Sequence, residues 1–119
     1  MSELYQDFKV KYKFRTFEEG GRQSPVFQGY RSDFWYYHKD NKENELFMIW
    51  PIFEDEKGVK IKAEVEVKTE GVAGMKIIND QLVEYHKLRI AIGTKGYFME
   101  GARRIAECEV IALGKRLSK

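Results

Sequence analysis

Three observations predict an all-β protein, a closed six-stranded antiparallel barrel with Greek-key connections. Two segments, 8–15 and 59–68, alternate apolar and charged residues with a period of two, the pattern of strands with one buried face. Turn residues, chiefly Gly, Pro and Asn, recur between short runs rich in aromatic and β-branched side chains. Six such runs can be counted, and a barrel is one way for an antiparallel sheet of that size to protect its edges.

Taken in order, residues 1–7 carry little periodic signal and read as a loose terminus. Across 8–15, Phe8, Val10, Tyr12 and Phe14 alternate with Lys9, Lys11, Lys13 and Arg15, so one face of the strand is apolar and the other cationic. That cationic face has two readings: a solvated surface whose lysines discourage edge-to-edge pairing, or a nucleic-acid contact. Residues 18–25 then connect two strands, because Gly20 and Gly21 tolerate positive φ and Pro25 has no amide to give a ladder. A second strand is predicted over 28–38, with Trp35, Tyr36 and Tyr37 thickening the core or a rim, and residues 38–45 form a charged loop. The apolar run at 45–53 is of strand length, and Pro51 marks a bend, an edge or an end within it. After a loop at 54–58, Val59, Ile61, Ala63, Val65 and Val67 alternate with Lys60, Lys62, Glu64, Glu66 and Lys68, the cleanest strand pattern in the chain; its mixed-sign outer face suits cross-strand charge pairing. Residues 69–93 read as a long connection: Gly71 and Gly74 suggest a loop, Asn79 or Asp80 caps a short helix running to about Arg89, and 88–92 is an alternative strand. Residues 97–100 and 103–113 are strands joined by a turn at Gly101, and 114–119 is a loose basic tail.

At 119 residues the chain has the length of one domain, 1–119, with enough residues for a core that needs no disulfide or metal. No apolar run reaches the ~20 residues of a membrane helix. The first residues lack the basic and apolar regions of a secretory signal, and Cys108 is the sole cysteine, so a cytoplasmic location is expected. A net charge of +2 is too small to imply a polyanion partner by itself, which leaves the placement of charge to decide.

Two blocks carry a family resemblance. Glu18-Glu19-Gly20-Gly21-Arg22, Pro25, Gly29-Tyr30-Arg31 and Phe34 resemble the start of the third, C-terminal domain of elongation factor Tu. Tyr97-Phe98-Met99-Glu100-Gly101-Ala102-Arg103, followed by the strand at 105–113, is similar to the closing hairpin of that domain. The order and spacing of the blocks agree with it, over roughly residues 8–113. The chain departs from the family in its longer 69–93 connection and in lacking a Pro-Gly-Asp turn. It has Gln23 where the family usually has histidine, and Met99 and Ala102 where arginine and glycine are usual. The resemblance implies a free-standing barrel without the GTPase domain. It implies contact either with the backbone of tRNA or another structured RNA, or with a translation GTPase. Gly21, Arg22, Gln23, Glu100, Gly101 and Arg103 stand at the family's contact loops, with Lys9, Lys11 and Lys13 adding charge. Arg22 and Arg103 also admit a structural reading, in which they hold loop carbonyls or carboxylates at one end of the barrel.

No catalytic set stands out. Gly93-Thr94-Lys95-Gly96 has the letters of a phosphate-binding loop in the wrong arrangement and reads as a turn, so GTP binding is not carried over from the family and no nucleotide is expected to be bound by this chain. Cys108 falls on the same strand face as Ala106 and Val110 and reads as an inert buried thiol. His38 and His86 have no metal-ligand spacing with it, and no cofactor is implied. Two functions follow as expectations: a non-enzymatic binding module related to translation, or a protein-interaction and regulatory module that has kept the barrel and lost RNA contact.

Overall fold

The computed structural model describes residues 6–118. It contains β1 (Phe8–Phe14), β2 (Asp33–Tyr36), β3 (Ile49–Glu54), β4 (Glu70–Ile77), a short 3-10 turn (Asp80–Leu82) leading into α1 (Val83–Lys87), β5 (Lys95–Glu100) and β6 (Arg103–Leu113). The strands form one antiparallel sheet in the order β2-β5-β6-β1-β4-β3. No helix among the described residues is long and apolar enough to cross a membrane.

The sheet curls into a half-barrel and does not close. Its edge strands β2 and β3 are joined only by a bridge between Phe34 and Phe47, whose amides each donate to the other's carbonyl at 2.9 and 3.0 Å. Gln28 covers part of the open edge. Its side-chain amide occupies the free edge of β3, accepting from the Phe53 amide at 3.0 Å and donating to the carbonyls of Phe53 (3.0 Å) and Ile61 (2.9 Å). The Ile61 amide also donates to the Phe53 carbonyl at 3.1 Å and Lys60 bridges Glu54, so this stretch of the edge is covered by one side chain and a short backbone contact in place of a full ladder.

Two predicted elements change identity. Residues 59–68 are not a strand: Glu64 sits at φ 66°, the segment makes only isolated bridges at Lys60 and Glu66, and Val59 and Val65 are exposed. Of its alternating apolar positions Val67 alone is buried. Conversely, the first part of the 69–93 connection, where Gly71 and Gly74 suggest a loop, is β4, an interior strand paired with β1 on one side and β3 on the other, while the short helix expected after Asn79 is present as the 3-10 turn and α1. Its glycines make room for neighbours. A Cβ on Gly74 would lie 2.3 Å from the Gln6 side chain, and one on Gly71 would lie 3.1 Å from the Tyr12 hydroxyl. The connection proper is short, and Asn79 caps its first turn by accepting from the Gln81 amide; residues 88–92 are not a strand.

Smaller differences follow the same logic. Gly29 at φ 100° turns the chain inside the predicted 28–38 strand, so β2 keeps only Asp33–Tyr36. Pro51 lies within β3, tolerated because β3 is an edge strand. The termini are tied down where described: Asp7 is 1 % exposed, and its carboxylate accepts from the Ile77 amide (2.7 Å) and from Arg116 (2.6 and 2.9 Å). Leu117 is fully buried, so 6–7 and 114–118 are not loose, while 1–5 and 119 lie outside the described residues.

The core fills the concave face of the sheet. Phe8, Tyr12, Phe34, Phe53 and Phe98 pack with ring centroids 5.2–6.4 Å apart, in mostly tilted or edge-on pairs, which suits the ring quadrupoles. Burial pushes the Tyr12 hydroxyl up to about 12, and its proton is given to the Lys68 carbonyl. β6 delivers Ile105, Ala106, Cys108 and Val110 to this core, and burial drives the Cys108 thiol far above its ordinary range. α1 closes one end of the half-barrel with the fully buried His86, whose Nδ1 shares a 2.7 Å hydrogen bond with the Tyr36 hydroxyl.

Candidate nucleic-acid interface

Residues of the two motif blocks, about eighty positions apart in the chain, meet at one end of the sheet. The first block folds as a tight turn: the Glu19 amide donates to Thr16 Oγ1, the Thr16 amide donates to Glu19 Oε1, and the Gly21 amide reaches the Thr16 carbonyl at 2.8 Å. Gly20 takes φ 94°, and Gly21 passes so close to β1 that a Cβ would stand 2.1 Å from the Arg15 carbonyl oxygen. The second block is the β5-β6 hairpin, with Gly101 at φ 59° in the first turn position, as a two-residue loop of this hand requires.

Arg22 reaches Glu100 at 2.5 Å, lies 5.2 Å over the Tyr30 ring, and donates to the Ser24 carbonyl. The Tyr30 hydroxyl donates to the same Glu100 oxygen. Burial alone would raise the Glu100 carboxyl, but the Tyr30 and Arg22 hydrogen bonds and the nearby arginines outweigh it and hold it below the usual range. Arg103 donates to the Gly21 carbonyl at 2.7 Å and more weakly to that of Gly20. Gly21, Arg22, Glu100, Gly101 and Arg103 thus form a clasp between the two loops, with Gln23 exposed at its margin. Both arginines carry the structural role that their sequence position allowed.

Lys9, Lys11 and Lys13 are not brought into this clasp. They lie on the convex face of β1, which is an interior strand, so they guard no edge. Lys9 pairs with Glu54 at 3.1 Å and Lys11 with Glu109 at 3.6 Å, and Lys13 lies in register between Glu70 and Glu107. Arg15 meets Glu107 at 3.4 Å. The cationic stripe is therefore matched by carboxylates on β3, β4 and β6. Nearby, Trp35 of β2, the adjoining Tyr37 and Tyr97 of β5 form an aromatic group, with Arg15 and Arg104 over Tyr97 and the carboxylate-bearing Glu107 as its cross-strand neighbour.

A different region gathers cationic side chains around an apolar groove. Where 59–68 fails to pair as a strand, it bows away from β3 and leaves a groove of about 440 Å³ between itself, β3 and the 28–31 turn. Trp50, Pro51, Ile52, Ile61, Ala63 and Ile78 give it apolar walls; Arg31, Lys60, Lys62 and Lys76 supply cations, and no carboxylate is among the described lining residues. The Arg31 guanidinium lies 4.6 Å over the Trp50 ring. Gln28 pins Ile61, and with it the two lysines, against β3. Sequence reasoning missed this site because Lys60 and Lys62 were assigned to a strand with mixed-sign cross-strand pairing. The available signal was Arg31, adjacent to Tyr30 after a glycine turn, facing the half-buried Trp50 on an edge strand.

A comparison with protein-family models and with curated proteins found no match to the chain.

Proposed function

We propose that the chain is a non-enzymatic binding module of the translation type, a relative of the third domain of elongation factor Tu, and that its ligand is the phosphate backbone of a structured RNA. The meeting of the two motif blocks supports the relationship, since Arg22, Glu100 and Arg103 make one clasp from loops remote in sequence. One observation carries the ligand: the groove beside β3 gathers Arg31, Lys60 and Lys62, none of which pairs with a carboxylate among the described residues, whereas Lys9, Lys11, Arg15 and Arg22 are each matched by one. In this reading the clasp builds the end of the half-barrel, and the groove with its lysine-bearing loop makes the contact.

The test is tRNA binding at two salt concentrations. Each phosphate neutralised releases condensed counterion, so affinity should fall steeply with salt, and Arg31→Ala/Lys60→Ala/Lys62→Ala should flatten log K against log salt by roughly 2–3. Arg22→Ala and the Lys9→Ala/Lys11→Ala/Lys13→Ala variant should change that slope far less. No binding even at low salt would reject the RNA reading and favour a protein partner, for which binding would depend on a buried aromatic or aliphatic anchor.

A further inference from the structure

The groove beside β3 has more than charge, and we infer that it holds one unstacked nucleotide unit, with the base against the Trp50–Arg31 pair and the phosphate at Lys60 and Lys62. The inference rests on the RNA reading above only in its choice of polymer; the chemistry is that of a nucleoside monophosphate, whether part of a single strand or free.

The geometry supplies the parts such a ligand needs. The indole of Trp50 lines the groove, and Arg31 at 4.6 Å restrains its plane, giving a paired aromatic and guanidinium surface of the kind on which bases stack. Ile52, Ile61 and Ile78 provide apolar contact for base and sugar, and a volume of about 440 Å³ lies within the range of small-molecule pockets. Lys60 and Lys62 stand on the same loop at the rim, either side of Ile61, and both are exposed.

The groove's remaining polar groups predict its selectivity. The Gln28 amide is committed to Phe53 and Ile61, and the Tyr30 hydroxyl to Glu100, so neither is available to read a base edge. Recognition therefore comes from stacking and charge, which every base and every phosphate satisfies. Adenine and uracil nucleotides should bind with affinities that differ by stacking strength alone.

Fluorescence of the Trp35→Phe variant reports Trp50 by itself, since Trp35 and Trp50 are the two tryptophans of the chain. The probes are adenosine monophosphate, uridine monophosphate, adenosine, inorganic phosphate, a single-stranded adenylate oligomer and tRNA. Both monophosphates and the oligomer should quench Trp50, while adenosine and inorganic phosphate should bind roughly tenfold more weakly or worse; Trp50→Leu and Lys60→Ala/Lys62→Ala should each lower oligomer affinity by about tenfold, the scale of one stacked base. If Trp35→Phe does not fold, the indole N–H resonance of Trp50 in the wild type gives the same readout. If tRNA binds in a salt-dependent way that the triple groove variant abolishes, but no nucleotide perturbs Trp50 and Trp50→Leu has no effect, the nucleotide inference is overturned and the backbone reading stands. Nucleotide binding without tRNA binding upholds the pocket, rejects the RNA reading and identifies a free nucleotide as the source. Absence of both overturns both.

Discussion

Replacing Gln28 by methionine keeps the length of the side chain and removes all of its hydrogen bonds. Three are lost: one accepted from the Phe53 amide and two donated to the Phe53 and Ile61 carbonyls. The Phe53 carbonyl keeps its bond from the Ile61 amide at 3.1 Å, so the groups left unserved are the Phe53 amide and the Ile61 carbonyl. A buried donor without a partner costs about 1–3 kcal/mol, and the under-served carbonyl adds about 1 kcal/mol, while the apolar side chain recovers part of this by avoiding amide desolvation. A net loss of about 2–3 kcal/mol is expected. With a urea slope of about 1.5 kcal/mol/M for a chain of this size, the unfolding midpoint should fall by roughly 1.3–2 M. Hydrogen exchange gives the local readout: the amides of Phe53 and Ile61 should lose protection before those of β1 and β6. Because Gln28 also holds the Lys60 and Lys62 loop, tRNA affinity should weaken as well. A Gln28→Met protein within about 0.5 kcal/mol of wild type, with Phe53 still protected, would refute the claim that this side chain covers the β3 edge.

Three further outcomes follow from the same structure. Glu100→Gln removes the charge that Arg22 and Tyr30 share, and should destabilise the protein by about 1–2 kcal/mol at neutral pH while leaving the sheet signal in circular dichroism unchanged; an unchanged melting curve would count against the clasp. Burial, aided by Arg89, lowers the His86 pKa from 6.5 to about 4, so the unfolded chain takes up this proton first: stability should be full above pH 6.5 and fall by up to about 3 kcal/mol on descending to pH 4. His86→Gln should flatten that descent in urea titrations across the window, and an equally steep slope in the variant would assign it to other groups. Gly21→Ala sets a methyl group 2.1 Å from the Arg15 carbonyl oxygen, forcing the loop off β1 at a cost of about 2 kcal/mol or more, seen as a lower denaturation midpoint and as loss of Arg15 amide protection.

Several elements could be read from the chain alone because their determinants are local. The alternation of Phe8, Val10, Tyr12 and Phe14 with basic residues marks β1, the run after Gly101 marks β6, and the glycine turns and the Asn79 cap depend on groups within a few residues. The tertiary structure decided the rest. Alternation at 59–68 says that neighbouring side chains differ in polarity, but a strand also needs a partner ladder; here Gln28 occupies the β3 edge, and the segment bows out with Lys60 and Lys62 facing a groove. Gly71 and Gly74 look like loop glycines in sequence, yet they serve an interior strand by leaving space for Tyr12 and Gln6, residues more than fifty positions away. Whether Arg22 holds a carboxylate or stays open to a ligand likewise turned on Glu100 arriving from the far hairpin. A period, a turn or a cap is set by the backbone geometry of a few adjacent residues, whereas sheet order, edge closure and the pairing of charges depend on contacts between remote segments that no local pattern encodes.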